Sequence, residues 1–113
     1  MSVYPAEIEV TARHLHELLA GCKYSEMEML SDGKRLTANQ IAESILDYGC
    51  SVVSPPEDMQ LDVVKVETVQ DTWSVNVPVF TTEEGRSHLT LAVTMTRTGE
   101  PLCNVEIDGL HVL

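Results

Sequence analysis

Basic residues are scarce in this chain: seven Lys and Arg stand against eighteen Asp and Glu over 113 residues, a net charge of −11 with the histidines neutral. A field of that sign repels phosphate backbones and anionic lipid headgroups, so neither nucleic acid nor a membrane is expected as a partner, and a basic protein is. Cysteine is sparse as well. Cys22, Cys50 and Cys103 lie far apart with no Cys-x-x-Cys pair, and an odd number cannot close completely into intramolecular disulfides, which points to a reducing compartment. Long apolar runs are missing: nothing approaches the roughly 18 residues of a membrane span. The start, Met1 to Glu9, also lacks the basic flank and apolar centre of a signal peptide, so a cytoplasmic location is expected. There is no phosphate-cradling glycine loop and no Cys/His cluster with zinc spacing, so no cofactor and no metal are expected. Aromatic residues amount to one Trp, three Tyr and one Phe, which leaves the core to aliphatic side chains.

What is present fits one domain spanning 1–113, with a helical half over 1–50 and an antiparallel sheet half over 51–113. Ile8, Ala12, Leu15, Leu18 and Leu19 form an apolar stripe over 6–20, with Pro5 suited to the helix start and Gly21 to its stop. A short helical piece over 26–30, capped by Ser25, precedes the turn Ser31-Asp32-Gly33. The next helix carries the clearest signals. Thr37 and Gln40 make a capping box, Leu36 and Ile41 a hydrophobic staple, and Gly49 the stop. Pro55-Pro56 can continue neither a helix nor a central strand, so 54–58 reads as a connector.

Beyond Leu61 the apolar period changes from 3.6 to 2. Trp73, Val75, Val77 and Val79 alternate with Ser74, Asn76 and Pro78; Leu89, Leu91, Val93 and Met95 alternate with Thr90, Ala92, Thr94 and Thr96; Cys103, Val105 and Ile107 alternate with Asn104, Glu106 and Asp108. Leu61–Val69 is a fourth, less regular strand, and Pro78 belongs on an edge or at a bulge. Short connections favour sequential antiparallel pairing. The expected fold class is therefore α+β, with N-terminal helices packed on one face of a four-stranded antiparallel meander and small polar residues on the other face.

Residues with chemical potential are few. His14 and His16, two apart on a helix, point in different directions and cannot grip one ion. His111 lies near Asp108, yet no nucleophile accompanies the pair. Cys103 falls in the inward set of its strand, and neither Cys22 nor Cys50 has a basic neighbourhood beyond Lys23. In Glu83-Glu84-Gly85-Arg86-Ser87, adjacent loop acids do not set the fixed carboxylate separation that glycoside chemistry requires. The loop reads as structural instead, with Gly85 at positive φ, Arg86 paired with an acid and Ser87 tied to the backbone. No catalytic residue is expected, and the chain is not expected to be an enzyme.

Trp73-Ser-Val, Thr82-Glu83-Glu84-Gly85-Arg86-Ser87-His88-Leu89-Thr90-Leu91 and Ile107-Asp108-Gly109-Leu110-His111-Val112-Leu113 resemble a family of small uncharacterised bacterial domains, with Leu36-Thr37-Ala38, Tyr48-Gly49 and Pro55-Pro56 as supporting features. The likeness covers about 35–113. It departs at His88 and Gly109, where the family tends to have aspartate. Size and charge also resemble those of immunity proteins of bacterial toxin systems, a likeness that implies a cytosolic protein neutralising a cationic, nuclease-like toxin domain. The acid excess grows along the chain, with eight acids and four bases over 1–50 but ten acids and three bases over 51–113. The expected partner-binding residues are Glu57, Asp58, Asp62, Glu67, Asp71, Glu83 and Glu84. The alternatives are a small-molecule-binding domain or enzyme using the polar sheet face, and a housekeeping domain whose charge serves only solubility.

Overall fold

A computed structural model describes residues 4–31 and 36–112. The expected turn at Ser31-Asp32-Gly33 lies, beyond Ser31, outside the described residues. Three helices, α1 (Ala6–Ala20), α2 (Tyr24–Leu30) and α3 (Ala38–Tyr48), precede four strands, β1 (Asp62–Lys65), β2 (Thr72–Thr81), β3 (Gly85–Thr96) and β4 (Asn104–Val112). The strands form one antiparallel meander in the order β1-β2-β3-β4, the α+β arrangement read from the sequence.

Local signals account for both ends of α3. The capping box of α3 is complete: Thr37 Oγ1 accepts the Gln40 amide, the Gln40 side chain accepts the Thr37 amide, and Gly49 closes the helix at φ 75°. Two ends differ from expectation. At the end of α1, Gly21 has φ −88° and Cys22 takes the left-handed conformation at φ 57°, so the chain reverses one residue later than the glycine suggested. Helix α2 begins at Tyr24 with Lys23 in the cap position and no side-chain cap, which places Ser25 inside the first turn.

The inner sheet face is aliphatic. Val75, Val77, Val79, Leu91, Val93, Met95 and Ile107 are fully buried against Ile8, Leu15, Leu19, Met27 and Ile41. Helix α1 lies against β2, while α3, with Ile41 and Ile45, lies against β4. Between α1 and β4, Thr11 Oγ1 donates to the Glu7 carbonyl and accepts the Cys103 amide. Strand β1 is shorter than the Leu61–Val69 expected. Val63 pairs with Val75 on the inner face and Val64 with Ser74 on the outer face, so adjacent valines simply follow the pleat with no bulge. Past Val66, whose amide still reaches the Thr72 carbonyl, the chain turns and leaves Val69 half exposed.

Two bulges shape the sheet. At Pro78/Phe80 the β2–β3 register shifts, and the displaced backbone groups find side-chain partners. Ser87 Oγ donates to the Val79 carbonyl at 2.7 Å and accepts the Leu89 amide, while His16 Nε2 accepts the Phe80 amide at 3.0 Å. A second shift makes Ala92 face Gly109 and Val93 face Ile107, leaving Asp108 as the extra residue of β4. One added residue reverses strand parity. Leu110 and Val112, paired with Leu91 and Leu89, therefore join the helix-covered side, and Gly109 and His111 join the outer face.

Candidate functional site: an acidic border and a polar sheet face

The acids singled out in the sequence divide into two groups. Glu57 and Asp58 precede β1, Asp62 begins it, and Glu67 and Asp71 lie in the turn that follows; all are exposed. Glu83 and Glu84 sit in the turn after β2, at the opposite end of that strand from Asp71. Ten residues at about 3.3 Å each put Asp71 about 30 Å from Glu83, whereas Asp62 pairs opposite Asn76 in the middle of β2 and the connector carrying Glu57 and Asp58 starts at Val53, whose amide bonds the Phe80 carbonyl near the Glu83 end. The acids are therefore strung along the β1 edge, with Glu67 and Asp71 at the end away from Glu83 and Glu84.

Their chemistry differs as well. Glu83 Oε1 accepts the Ser51 amide at 2.9 Å, and this bond, with the residue's own amide, holds its carboxyl below the ordinary glutamate range. Glu84 Oε1 accepts the Tyr48 hydroxyl at 2.6 Å, raising the phenol's pKa, and the same hydroxyl oxygen accepts the His88 amide. This loop fastens the end of α3 to the β2–β3 hairpin. Gly85 takes φ 68°. Arg86 donates to the neighbouring Ser87 carbonyl, and among the described residues no carboxylate lies within ion-pair distance of it, contrary to the pairing expected. Ser87 is the buried member of the loop, and its hydroxyl repairs the bulge.

Around β1 the carboxylates of Glu57, Asp58, Glu67 and Asp71 have no hydrogen-bond or ion-pair partner among the described residues, and Asp62 has only a 3.5 Å contact from the Asn76 amide. Nearby cations are otherwise engaged. Arg13 pairs with Glu9 and donates to the Pro56 and Glu57 carbonyls, fixing the connector without touching the Glu57 carboxylate. Arg97 pairs with Glu7, and Lys65 lies 4.9 Å from the Trp73 ring centroid. Val64 and Val69, 60% and 51% exposed, add apolar surface among these acids.

The outer sheet face carries Ser74, Asn76, Ala92, Thr94, Thr96, Asn104, Glu106 and Asp108 as expected, with Thr94 donating to Asp108. Thr90 differs. It is buried between Pro78 and His111, with no partner for its hydroxyl among the described residues. At the end of this face, Thr72, Thr94, Thr96, Asn104 and Glu106 join Leu30, Ser31 and Val69 around a cleft of about 400 Å3. The His111 ring occupies the space above Gly109, where an added Cβ would lie 2.6 Å from Nε2, so an aspartate at 109 would require the ring to move.

His14 is exposed and His16 buried, as their helical spacing dictates. Burial holds the His16 pKa below its usual value; with Nε2 accepting from Phe80, the neutral ring carries its proton on Nδ1, which has no partner among the described residues. Burial pushes the Cys50 and Cys103 thiols up, opposite to the activation of a nucleophile. Among the described residues no three His, Cys, Asp or Glu are grouped to hold a metal, and no helix is long and apolar enough to cross a membrane.

Fold and surface together define a small acidic α+β domain, a helix-backed antiparallel meander with one polar face and one acidic border. The chain belongs to the family of the domain of unknown function DUF7668, whose model matches residues 16–113 and so takes in every element except the first part of α1. No curated protein and no solved structure matches it.

Proposed function

We propose that this chain is an acidic protein-binding module whose partner is a basic protein, in the manner of an immunity protein occupying a cationic toxin domain. The observation that supports the reading is the set of exposed carboxylates at Glu57, Asp58, Glu67 and Asp71, with Asp62 between them, beside bases already committed to other contacts. Charges left uncompensated inside a fold contribute little to its stability, and across an interface they steer association and select partner sign. Val64 and Val69 supply apolar contact within the same border.

Affinity capture with the native chain, run beside a Glu57→Gln, Asp58→Asn, Glu67→Gln, Asp71→Asn variant, tests this. A basic protein held by the native chain and lost by the variant is expected. Retention of no basic protein, or equal retention by both, contradicts the reading. A second reading, a small polar ligand in the cleft of Thr72, Thr94, Thr96 and Asn104, draws support from the hydroxyls converging there. It predicts a ligand whose binding is abolished by Thr94→Val and unaffected by the four neutralised acids.

A further inference from the structure

The two edges of the sheet are built differently. Strand β1 is four residues long and carries Asp62 and Lys65, the short charged edge that discourages pairing. Strand β4 runs for nine residues as the other edge of the sheet, paired among the described residues with β3 alone, so alternate residues offer N–H and C=O to its other side. Its first half is approached by α2, where Leu30 and Ser31 share a cleft with Val105. Its second half is not. There the parity change at Asp108 turns Leu110 and Val112 toward α3, and a groove of about 500 Å3 opens between Ser44, Asp47 and Tyr48 on one side and Leu89, Leu110 and Val112 on the other. Val112 is 65% exposed within it. The groove wall is rigid, because the Tyr48 hydroxyl is fixed by Glu84 and the His88 amide.

We infer that this groove is a strand-addition site, in which an extended segment of another protein with alternating apolar and basic residues pairs with the second half of β4. The geometry supplies both requirements of that mode: main-chain groups along an edge, and an apolar trough that takes every second side chain. Charge selects the occupant. Helix α3 contains no basic residue, and Asp47 lines the groove, with Glu43 one turn before it on the same helical face. A second copy of this chain would bring another −11 and another acidic α3 against the first, so it is the wrong occupant. The site is separate from the acids around β1, at the opposite edge of the sheet, and does not depend on them.

The test uses a short synthetic peptide of alternating lysine and valine, titrated into the full chain and followed by backbone amide NMR, with a lysine–serine peptide of equal length and charge as comparison. Saturable binding is expected, with amide shifts confined to β4 and the end of α3. The Val112→Lys variant should weaken it by roughly tenfold, Asp47→Lys should weaken it less, and the lysine–serine peptide should fail to saturate. The four neutralised acids around β1 should leave it unchanged. Because Val112 and Asp47 lie at the surface, both variants should retain the native amide spectrum elsewhere. No saturable binding, equal binding of the two peptides, shifts centred on β1, or pairing of two copies through β4 detected by light scattering would each overturn the assignment.

Discussion

The acids around β1 and the acids at the β2–β3 turn are alike in residue type and exposure, and differ in what they touch. Glu83 and Glu84 accept hydrogen bonds from Ser51 and Tyr48, so their charge is spent on joining α3 and the connector to the hairpin. Glu57, Asp58, Glu67 and Asp71 have no such partners among the described residues, and their charge projects into solvent. An acid run in a sequence is thus two different objects, an internal fastener or an external field, according to whether a donor from another element reaches it.

The comparison is broken most strongly at the hairpin end. Ser87→Ala leaves the Val79 carbonyl and the Leu89 amide without their buried partner and should cost about 1–3 kcal/mol in a denaturant melt; no loss would mean that the bulge does not depend on the hydroxyl. Gly85→Val places a β-branched residue at φ 68° and should cost about 1–2 kcal/mol. Space is not the reason, since nothing lies within 4 Å of an added Cβ there. Glu84→Gln should lower the melting temperature less than Gly85→Val does, because the Tyr48 hydroxyl can still donate to an amide oxygen. The reverse order would make the turn's role electrostatic.

The smallest expected effect belongs to β1: neutralising Glu57, Asp58, Glu67 and Asp71 together should leave stability within about 0.5 kcal/mol of the native chain. A large loss would place these acids with the fasteners. Proton linkage separates the two ends further. Burial lowers the folded-state pKa of His16, so its contribution is complete above the unfolded value near 6.5 and is lost as pH falls through that value toward the folded one. Glu83, also lowered when folded, contributes fully above about 4.5 and loses that contribution only below it. Denaturant midpoints should therefore fall first in the His16 window, and His16→Gln, which can still accept the Phe80 amide, should flatten that step. An unchanged step would locate the titration elsewhere.

Much of this fold is written in local pattern. Thr37, Gln40 and Gly49 bound α3 by capping chemistry alone, and the alternation of Trp73 to Val79 and Leu89 to Met95 fixes both strands and their inward faces. What escapes the pattern depends on partners distant in sequence. The Asp108 bulge exists only against Ala92 and Val93, yet it decides that Leu110 and Val112 face α3. His16 is positioned by an amide 64 residues away. The division of the acids was illegible for a similar reason: Asp71 and Glu83 are close in sequence, but a ten-residue strand between them carries them to opposite ends.

A field from the acids around β1 that brings in a basic partner has its clearest readout in the association rate with that partner as ionic strength is raised. For the native chain the rate should fall steeply as the Debye length shrinks toward about 8 Å at physiological salt, and for the variant with Glu57, Asp58, Glu67 and Asp71 neutralised the slope should flatten while dissociation stays nearly constant. A rate indifferent to salt, or one with the same slope in both proteins, would contradict it.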